Sequence, residues 1–157
     1  MSESKNVVIL GCGRIGSTLA RSLSTAKEGH NVSIIDRNND AFRRLGPDFA
    51  GNKILGNGID DAVMKKAGIE KADAFVAVTN GDNTNIMSVQ IAKEKFKVPQ
   101  VITRIYDPIR ACAYRELGIE TICTTMIGAR LIRDHIMGKE LGNMAEYCAL
   151  SDDEAVL

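Results

Sequence analysis

The strongest constraint on the fold lies at residues 7–16, where an apolar run, Val-Val-Ile-Leu, passes directly into Gly-Cys-Gly-Arg-Ile-Gly. Apolar residues at helical spacing follow, so the three glycines stand between a predicted strand and a predicted helix. In this context Gly11 permits a tight turn, Gly13 lets the backbone approach a pyrophosphate, and Gly16 lets the helix pack closely on the strand. The motif therefore predicts a Rossmann-type unit whose helix N-terminus faces phosphate groups.

The rest of the chain repeats this alternation of strand and helix. Segments rich in Val and Ile predict six strands, at residues 6–10, 31–36, 53–55, 74–78, 100–105 and 120–123. Helical periodicity predicts six helices, at residues 14–28, 40–45, 60–67, 83–96, 108–117 and 127–137. Several strands are apolar almost throughout, which is typical of parallel strands covered on both faces. We therefore predict an α/β fold of the doubly wound Rossmann type, with a mostly parallel six-stranded sheet, helices on both faces and a C-terminal crossover helix.

Glycines mark the ends of the predicted helices, because a left-handed residue commonly follows the last helical turn. They are Gly29, Gly46, Gly68, Gly118 and Gly138. The last one marks the boundary that we predict between a Rossmann dinucleotide-binding domain, residues 1–138, and a C-terminal extension, residues 139–157. The extension has no strand and helix pair of its own, and we expect it to be the start of a second lobe.

Composition limits the partners that the chain can have. The 20 basic and 20 acidic side chains balance, so no net charge draws the chain to nucleic acid or to an anionic membrane. The apolar runs are much shorter than the about 20 residues of a membrane-spanning helix, and the polar first six residues leave no room for a signal peptide. We predict a cytoplasmic chain without direct membrane insertion, whose widely spaced cysteines are reduced thiols rather than metal ligands.

Charged residues near the first two strand ends are candidates for ligand binding. Asp36 ends the second strand about 20 residues after Gly16, where a carboxylate accepts hydrogen bonds from a ribose diol. The alternative is a capping aspartate beside an ordinary glycine turn. The charge of Asp36 disfavours a ligand that carries a 2′-phosphate. Arg37 either lies flat on an adenine ring or is a solvated surface charge, and Arg14 either reaches a phosphate or faces solvent.

Polar residues also follow three later strands, and parallel strands bring their carboxyl ends to the same edge of a sheet. Asn57-Gly58 forms a flexible turn with an amide suited to an adenine edge. Thr79 and Asn80 open a polar loop, and Arg104 lies near the end of the fifth strand. Helix capping by residues 82–83 is the alternative explanation for part of this loop. Thr79 and Asn80 precede any cap, so they are the better candidates for ligand contact.

The sequence carries no clear set of catalytic residues. His30 falls before the second strand, at the end of the sheet opposite the predicted crevice, and His135 falls in the last helix, where we expect a surface or interface residue. No tyrosine has a lysine four residues later, and the G-x-x-x-x-G-K-[ST] phosphate loop is missing. Cys12 has no apparent neighbouring base to activate its thiol. We predict binding without turnover; the rival hypotheses are a small NAD-dependent oxidoreductase, or the cofactor half of one, and an oligomerisation scaffold with an empty crevice.

Five segments stand out together: residues 8–16, 35–36, 56–58, 72–79 and 82–85. They resemble the TrkA-N (RCK) family, the N-terminal nucleotide-binding domains of the Trk and Ktr potassium-uptake subunits and of gated potassium channels. The resemblance extends over about residues 6–138. The run Ala-Asp-Ala-Phe-Val-Ala-Val-Thr, with Asp82 and Asn85 after it, is more specific than the glycine motif, which dehydrogenases share. Many family members have an acidic residue where this chain has Asn57.

The resemblance implies a regulatory domain that binds NAD(H), or ATP, ADP or AMP in some relatives, and that gates a potassium transporter or channel subunit of the membrane. It also implies homodimers that build a ring beneath the pore, so that a membrane partner holds the chain at the inner face of the cell membrane. Carried over by motif, the binding residues are Gly11, Gly13, Arg14, Ile15, Gly16, Asp36, Asn57, Gly58, Thr79, Asn80 and Arg104, to which we add Arg37 for adenine.

The last predicted helix carries an apolar stripe that must be covered. Ile127, Leu131, Ile132 and Ile136 recur there at helical spacing. The stripe either packs on the chain's own sheet or crosses onto a second copy of the chain. The family resemblance favours the second copy.

Overall fold

The computed structural model describes residues 3–140, 142–143 and 146–147. The strands are β1 (Asn6–Leu10), β2 (Asn31–Asp36), β3 (Asn52–Leu55), β4 (Ala74–Ala77), β5 (Gln100–Arg104) and β6 (Glu120–Ile122). The α-helices are α1 (Arg14–Ser24), α2 (Asp61–Lys66), α3 (Asp82–Gln90), α4 (Pro108–Glu116) and α5 (Thr124–Ile136). Two 3₁₀ helices span Asn39–Leu45 and Ile69–Lys71, and a π-helical segment, Ile91–Lys95, continues α3.

The six strands form a sheet with the order β3-β2-β1-β4-β5-β6. The pairs β1–β2, β1–β4, β2–β3 and β4–β5 are parallel, and helices cover both faces. The strand order reverses between β1 and β4, which makes the carboxyl ends of these strands the switch point where Rossmann folds bind their ligands. The predicted doubly wound, mostly parallel sheet is confirmed.

The chain divides into two compact units, Met1–Thr103 and Arg104–Leu157. In the first unit, Ile9 and Ile34 from neighbouring strands are fully buried. Ala20 of α1 and Phe42 of the first 3₁₀ helix belong to the same apolar cluster. This layer positions the start of α1 beside the end of β1.

In the second unit, α5 exposes part of its predicted apolar stripe. Ile132 and Ile136 are 63% and 76% exposed. Leu131 is half-buried, and Arg130 is buried and donates a hydrogen bond to the carbonyl oxygen of Glu146 at 2.6 Å. The stripe therefore lies on two sides of the helix, and the side with Ile132 and Ile136 is the exposed one.

Several helix boundaries differ from the predictions. The helix α1 ends at Ser24 instead of residue 28. Directly after Ser24, the hydroxyl of Thr25 donates to the carbonyl oxygen of Arg21 at 2.9 Å. The helix α5 begins at residue 124, three residues before the predicted 127. Capping of α3 by residues 82–83 is wrong, because Gly81 is the N-cap and the helix begins at residue 82. The glycines predicted to end helices all have positive φ, as expected: Gly29, Gly46, Gly68, Gly118 and Gly138.

The end of the π-helical segment places a lysine where glycine is favoured. Lys97 has φ 55°, in the left-handed region. The N–H of Phe96 bonds to the carbonyl oxygen of Ile91 at 3.3 Å, and the N–H of Val98 bonds to that of Ala92 at 3.1 Å. These two bonds hold the chain in the tight turn that leads towards β5.

Candidate functional site

Packing within the first unit itself requires two of the three glycines in the turn between β1 and α1. Gly11 has φ 102°, and a Cβ there would lie 2.9 Å from the amide nitrogen of Thr79. A Cβ on Gly16 would overlap the carbonyl oxygen of Gly11. The turn therefore accepts no side chain at either position, whether or not a ligand is bound.

Gly13 differs from these two glycines because its own unit leaves room for a side chain. It is the N-cap of α1, with φ −75° and ψ −165°. Apart from the chain neighbours of Gly13, no heavy atom of the described residues lies within 4 Å of its Cβ position. Ser, Asn and Asp cap a helix slightly better than Gly does, so the stability of the helix does not require glycine here. The open space lies at a helix N-terminus, which favours an anion.

Asp36 joins the end of β2 to the glycine turn. Its Oδ2 accepts a hydrogen bond from the N–H of Cys12 at 2.7 Å, and its Oδ1 accepts one from the N–H of Asn38 at 2.8 Å. Each oxygen of an ionised carboxylate accepts up to two hydrogen bonds. Asp36 can therefore hold the turn and still accept hydrogen bonds from a ribose diol.

The thiol of Cys12 is buried beneath this turn. Its Sγ donates to the carbonyl oxygen of Ala41 at 3.3 Å. Burial, with a smaller effect of the Asp36 charge, raises the pKa of Cys12 from 9.0 to about 11. Since the thiolate is the nucleophilic form, Cys12 is unreactive at neutral pH. Cys112 and Cys123 are also free thiols, and Cys148 lies outside the described residues.

The turn after β3 has local roles that account for much of its sequence. Asn57 is exposed, and its Oδ1 accepts the N–H of Ile59 at 3.3 Å. Gly58 is buried, and a Cβ there would overlap the side chain of Leu10. Packing against β1 thus explains the glycine at 58, and Asn57 is an exposed side chain of this turn.

A buried amide holds the loop after β4. The Oδ1 of Asn85 accepts the N–H and the hydroxyl of Thr79, at 2.9 and 2.6 Å, and its Nδ2 donates to the carbonyl oxygen of Thr79 at 3.1 Å. Thr79 Oγ1 also accepts the N–H of Gly81 at 3.2 Å. The Thr79 side chain is therefore used within the loop, whereas Asn80 is exposed. The sequence analysis quoted Asn85 as part of a motif and missed this role, although Asn85 precedes apolar Val89 by four residues, which places the two on the same face of a helix.

The predicted site residues fall unequally between the two units. Arg104 belongs to the second unit, where its guanidinium lies 4.1 Å from the centre of the Tyr106 ring. The other eleven belong to the first unit, and the contacts above bring the turn at Gly11, Asp36 and Thr79 together. The exposed side chains among the eleven are Arg14, Ile15, Arg37, Asn57 and Asn80.

An open concavity of about 520 Å³ lies beside the end of β2. It is lined by Phe42, Arg43, Lys53 and Leu55, among others, and Leu55 is the register partner of Asp36. The concavity thus adds apolar and basic surface on the β3 side of Asp36, and its lining does not include the glycines of the turn.

Residues 3–140, 142–143 and 146–147 contain neither a cluster of metal-ligand side chains nor an apolar helix of membrane-spanning length. In this part of the chain no three His, Cys, Asp or Glu side chains are grouped so that they could hold a metal ion. None of the helices described there has the length and apolar character needed to cross a bilayer.

Comparison with known proteins gives one family and several relatives. The model of the TrkA-N domain family matches residues 7–125. The Trk system potassium uptake protein TrkA of Streptomyces coelicolor is 45% identical over 141 residues, which are 90% of this chain and 60% of that protein. The TrkA homolog of Methanothermobacter thermautotrophicus is 34% identical over 116 residues, which are 74% and 52% of the two chains. This chain therefore spans between half and three fifths of the length of these two relatives.

Solved structures share the fold at low sequence identity. The Kef C-terminal domain of Shewanella denitrificans in its AMP-bound form has a TM-score of 0.72 at 22% identity, over 91% of this chain and 86% of that chain. The GsuK structure bound to ADP has a TM-score of 0.71 at 21% identity, over 88% and 35%. The GsuK channel bound to NAD has a TM-score of 0.62 at 18% identity, over 77% and 22%.

Proposed function

The chain belongs to the TrkA-N domain family, and from this membership we propose that it is a regulatory nucleotide-binding domain that controls a potassium transporter or channel. The relatives at 45% and 34% identity are both named as Trk system potassium uptake proteins. The proposal places the chain in the cytoplasm, at the inner face of the membrane, where a membrane subunit holds it.

The open Cβ position of Gly13 is the observation that carries nucleotide binding. Gly11 and Gly16 are explained by packing, but the fold does not need glycine at 13. A phosphate at the N-terminus of α1 would occupy that space and would exclude any side chain. Asp36 follows this turn by about 20 residues, the separation at which a carboxylate bonds an adenosine ribose in Rossmann folds.

We propose NAD(H) as the ligand, with ADP, ATP or AMP as alternatives. These molecules share an adenosine and a phosphate, which are the groups that Asp36 and the Gly13 space would recognise. The structural neighbours with bound AMP, ADP or NAD support this ligand class. The negative charge of Asp36 disfavours NADP(H), because the 2′-phosphate would meet a second anion.

The proposed role is binding without catalysis. Cys12 is protonated at neutral pH because burial raises its pKa. His30 lies directly before β2, and its Nδ1 accepts the N–H of Lys5 at 3.1 Å. This contact places the histidine at the amino ends of β1 and β2, opposite the carboxyl ends where ligands bind in Rossmann folds.

We propose that the domain acts as a homodimer or a higher ring, with α5 between copies. Ile132 and Ile136 lie one helical turn apart and are both exposed. Gly128 lies one turn before Ile132. Apart from its chain neighbours and the nearby backbone of α5, no described atom lies within 4 Å of its Cβ position, so another helix could approach closely there. The division into a domain at residues 1–138 and an extension at 139–157 stays a prediction, and most of the extension lies outside the described residues.

Calorimetric titration of the chain with NADH, NAD⁺, ADP, ATP and NADP⁺ tests the binding proposal directly. We expect one site per chain for the adenine nucleotides and weaker binding of NADP⁺ than of NAD⁺. Absence of heat and of any thermal shift with all five ligands would refute it.

Rubidium uptake tests the proposed regulation in the host cell. Deleting the gene should change the rate of uptake, the wild-type gene should restore it, and a Gly13→Val copy expressed at the same level should not. If the Gly13→Val copy fully restored rubidium uptake, the regulation of transport would not depend on nucleotide binding at this site.

A further inference from the structure

The side chain of Asn85 forms three hydrogen bonds with a single residue, Thr79. One oxygen accepts the N–H and the hydroxyl of Thr79, and the amide NH₂ donates to its carbonyl oxygen. The amide thus binds both ends of the same residue. Asn85 is 0% exposed, so it cannot contact a ligand itself.

Thr79 is also packed against the glycine turn. The Cβ position of Gly11 lies 2.9 Å from the amide nitrogen and 3.1 Å from the Cα of Thr79. The N–H of Val78 donates to the carbonyl oxygen of Leu10 at 2.9 Å, so the pairing of β1 with β4 continues up to this point. Because a methyl group would not fit between Gly11 and Thr79, a shift of Thr79 towards the turn must move Gly11 as well.

We propose that Asn85 is a positioning residue for the nucleotide site. Its buried amide holds Thr79 against Gly11, and this fixes the turn that presents Gly13 and the start of α1 to a phosphate. The inference rests on the proposed function, since it assigns a residue to the same site. It predicts that the chemistry of the amide, beyond its contribution to stability, sets the affinity for nucleotide.

Ser88 provides a matched control in the same helix. It is also 0% exposed, and its hydroxyl donates to the backbone carbonyl of Asn85 at 2.9 Å. Ser88→Ala therefore removes a buried hydrogen bond from α3 and leaves the three contacts between Asn85 and Thr79 in place. Any loss of affinity that follows from destabilising α3 should appear in this variant too.

Asn85→Asp removes the donor to the Thr79 carbonyl oxygen and keeps the shape of the side chain. One carboxylate oxygen still accepts from Thr79, but the other cannot donate to the Thr79 carbonyl oxygen while it is ionised. We expect NAD⁺ and ADP to bind about tenfold more weakly than to the wild type at pH 8, with a loss of less than about twofold for Ser88→Ala.

The pH dependence of this variant separates positioning from stability. Burial raises the pKa of a carboxyl group, and a protonated carboxyl at position 85 would donate to Thr79 again. The NAD⁺ affinity of Asn85→Asp should therefore recover towards the wild-type value at pH 5, while the wild type changes little. The proposal would be overturned if Asn85→Asp bound NAD⁺ at pH 8 as tightly as the wild type does. It would also be overturned if the loss of affinity in Asn85→Asp and Ser88→Ala simply followed the loss in their free energy of unfolding.

Amide NMR of the unliganded chain separates this proposal from the proposed function. Asn85→Asp should shift the resonances of Gly11 and Gly13 more than Ser88→Ala does. If Asn85→Asp does not fold, Thr79→Val, which removes one of the contacts, is measured in its place. If the wild type binds no nucleotide, the proposed function fails, and the resonances still decide: unchanged Gly11 and Gly13 signals refute the positioning role, and shifted signals support it.

Discussion

The carboxylate of Asp36 accepts the backbone N–H of Cys12 at 2.7 Å and so fastens the end of β2 to the turn after β1. The same residue is the proposed ribose acceptor. A variant at this position therefore changes both the free energy of unfolding and the affinity for nucleotide, and the two effects must be measured separately.

Asp36→Ala should weaken binding of NAD⁺ about tenfold or more and lower the free energy of unfolding by about 1.5 to 3 kcal/mol, the value of a hydrogen bond to a charged group. Asp73→Ala is the control, because Asp73 Oδ2 accepts the backbone N–H of Asn6 at 2.7 Å before β4, at the opposite end of the sheet. The control should lose comparable stability in urea denaturation and keep its affinity by calorimetry. Equal affinities for the two variants would place the ligand elsewhere.

Gly13 should tolerate side chains for folding but not for binding. Gly13→Ser introduces a favourable N-cap residue, so the free energy of unfolding should stay within a few tenths of a kcal/mol or rise, while nucleotide binding weakens. Gly13→Val should abolish binding and remain folded. Thermal melts with and without NAD⁺ measure both properties, and ligand-induced stabilisation of Gly13→Val equal to that of the wild type would show that no phosphate occupies this space.

The raised pKa of Cys12 predicts a loss of stability in alkali. Its pKa rises from 9.0 to about 11 on folding, so between these values the unfolded chain loses a proton that the folded chain keeps. The contribution of the Cys12 thiol to the free energy of unfolding is fully present below pH 9. It decreases as the pH rises towards 11, at about 1.4 kcal/mol per pKa unit. The stability difference between wild type and Cys12→Ala should therefore narrow from pH 8 to 10.5 in urea titrations; a constant difference contradicts the assignment.

Charge on the exposed side of α5 should dissociate the oligomer. Ile132→Glu with Ile136→Glu places two carboxylates in the proposed interface, and both positions are exposed within the chain, so the variant should fold and bind NAD⁺ as a monomer. Leu117→Glu, at another exposed apolar position of the second unit, is the control and should associate as the wild type does. Sedimentation velocity measures this, and an unchanged oligomer in the double variant excludes α5 as the interface.

Lys97 offers a test of backbone strain. Its φ of 55° costs a non-glycine residue about 1 to 2 kcal/mol, and the flexibility of glycine in the unfolded chain offsets about 0.5 to 1 kcal/mol of that. Lys97→Gly should raise the free energy of unfolding by up to about 1.5 kcal/mol. Lys93→Gly, within the π-helical segment, should lower it, and a change of the same sign in both variants would rule out the explanation.

The local sequence pattern was sufficient to predict the fold. The spacing of apolar residues and the glycines at helix ends can both be recognised within short stretches of sequence. Boundaries set by individual contacts were not predictable in this way. The end of α1 coincides with a hydrogen bond from the Thr25 hydroxyl, and residues 83–96 look like one continuous helix although the Phe96 N–H bonds to Ile91, five residues back. Such choices depend on packing that no short window of sequence contains.

The candidate site was predictable as a set of residue types but not as a set of roles. The sequence does not distinguish the roles of Gly11, Gly13 and Gly58. The atoms around each Cβ position show which glycine is required by packing and which leaves room for a ligand. Thr79 looked like a contact residue, and its hydroxyl is engaged by Asn85. Roles of this kind depend on which neighbours the fold brings together.

The empty surroundings of Gly13 imply that selection for folding and selection for binding act on different glycines of the same turn. In a library randomised at positions 11, 13 and 16 and sorted only for soluble expression, glycine should persist at 11 and 16, where a side chain meets backbone atoms. Position 13 should drift, with serine, asparagine and aspartate accumulating because they cap α1. Sorting the same library for retention on an immobilised adenine nucleotide should return glycine to position 13.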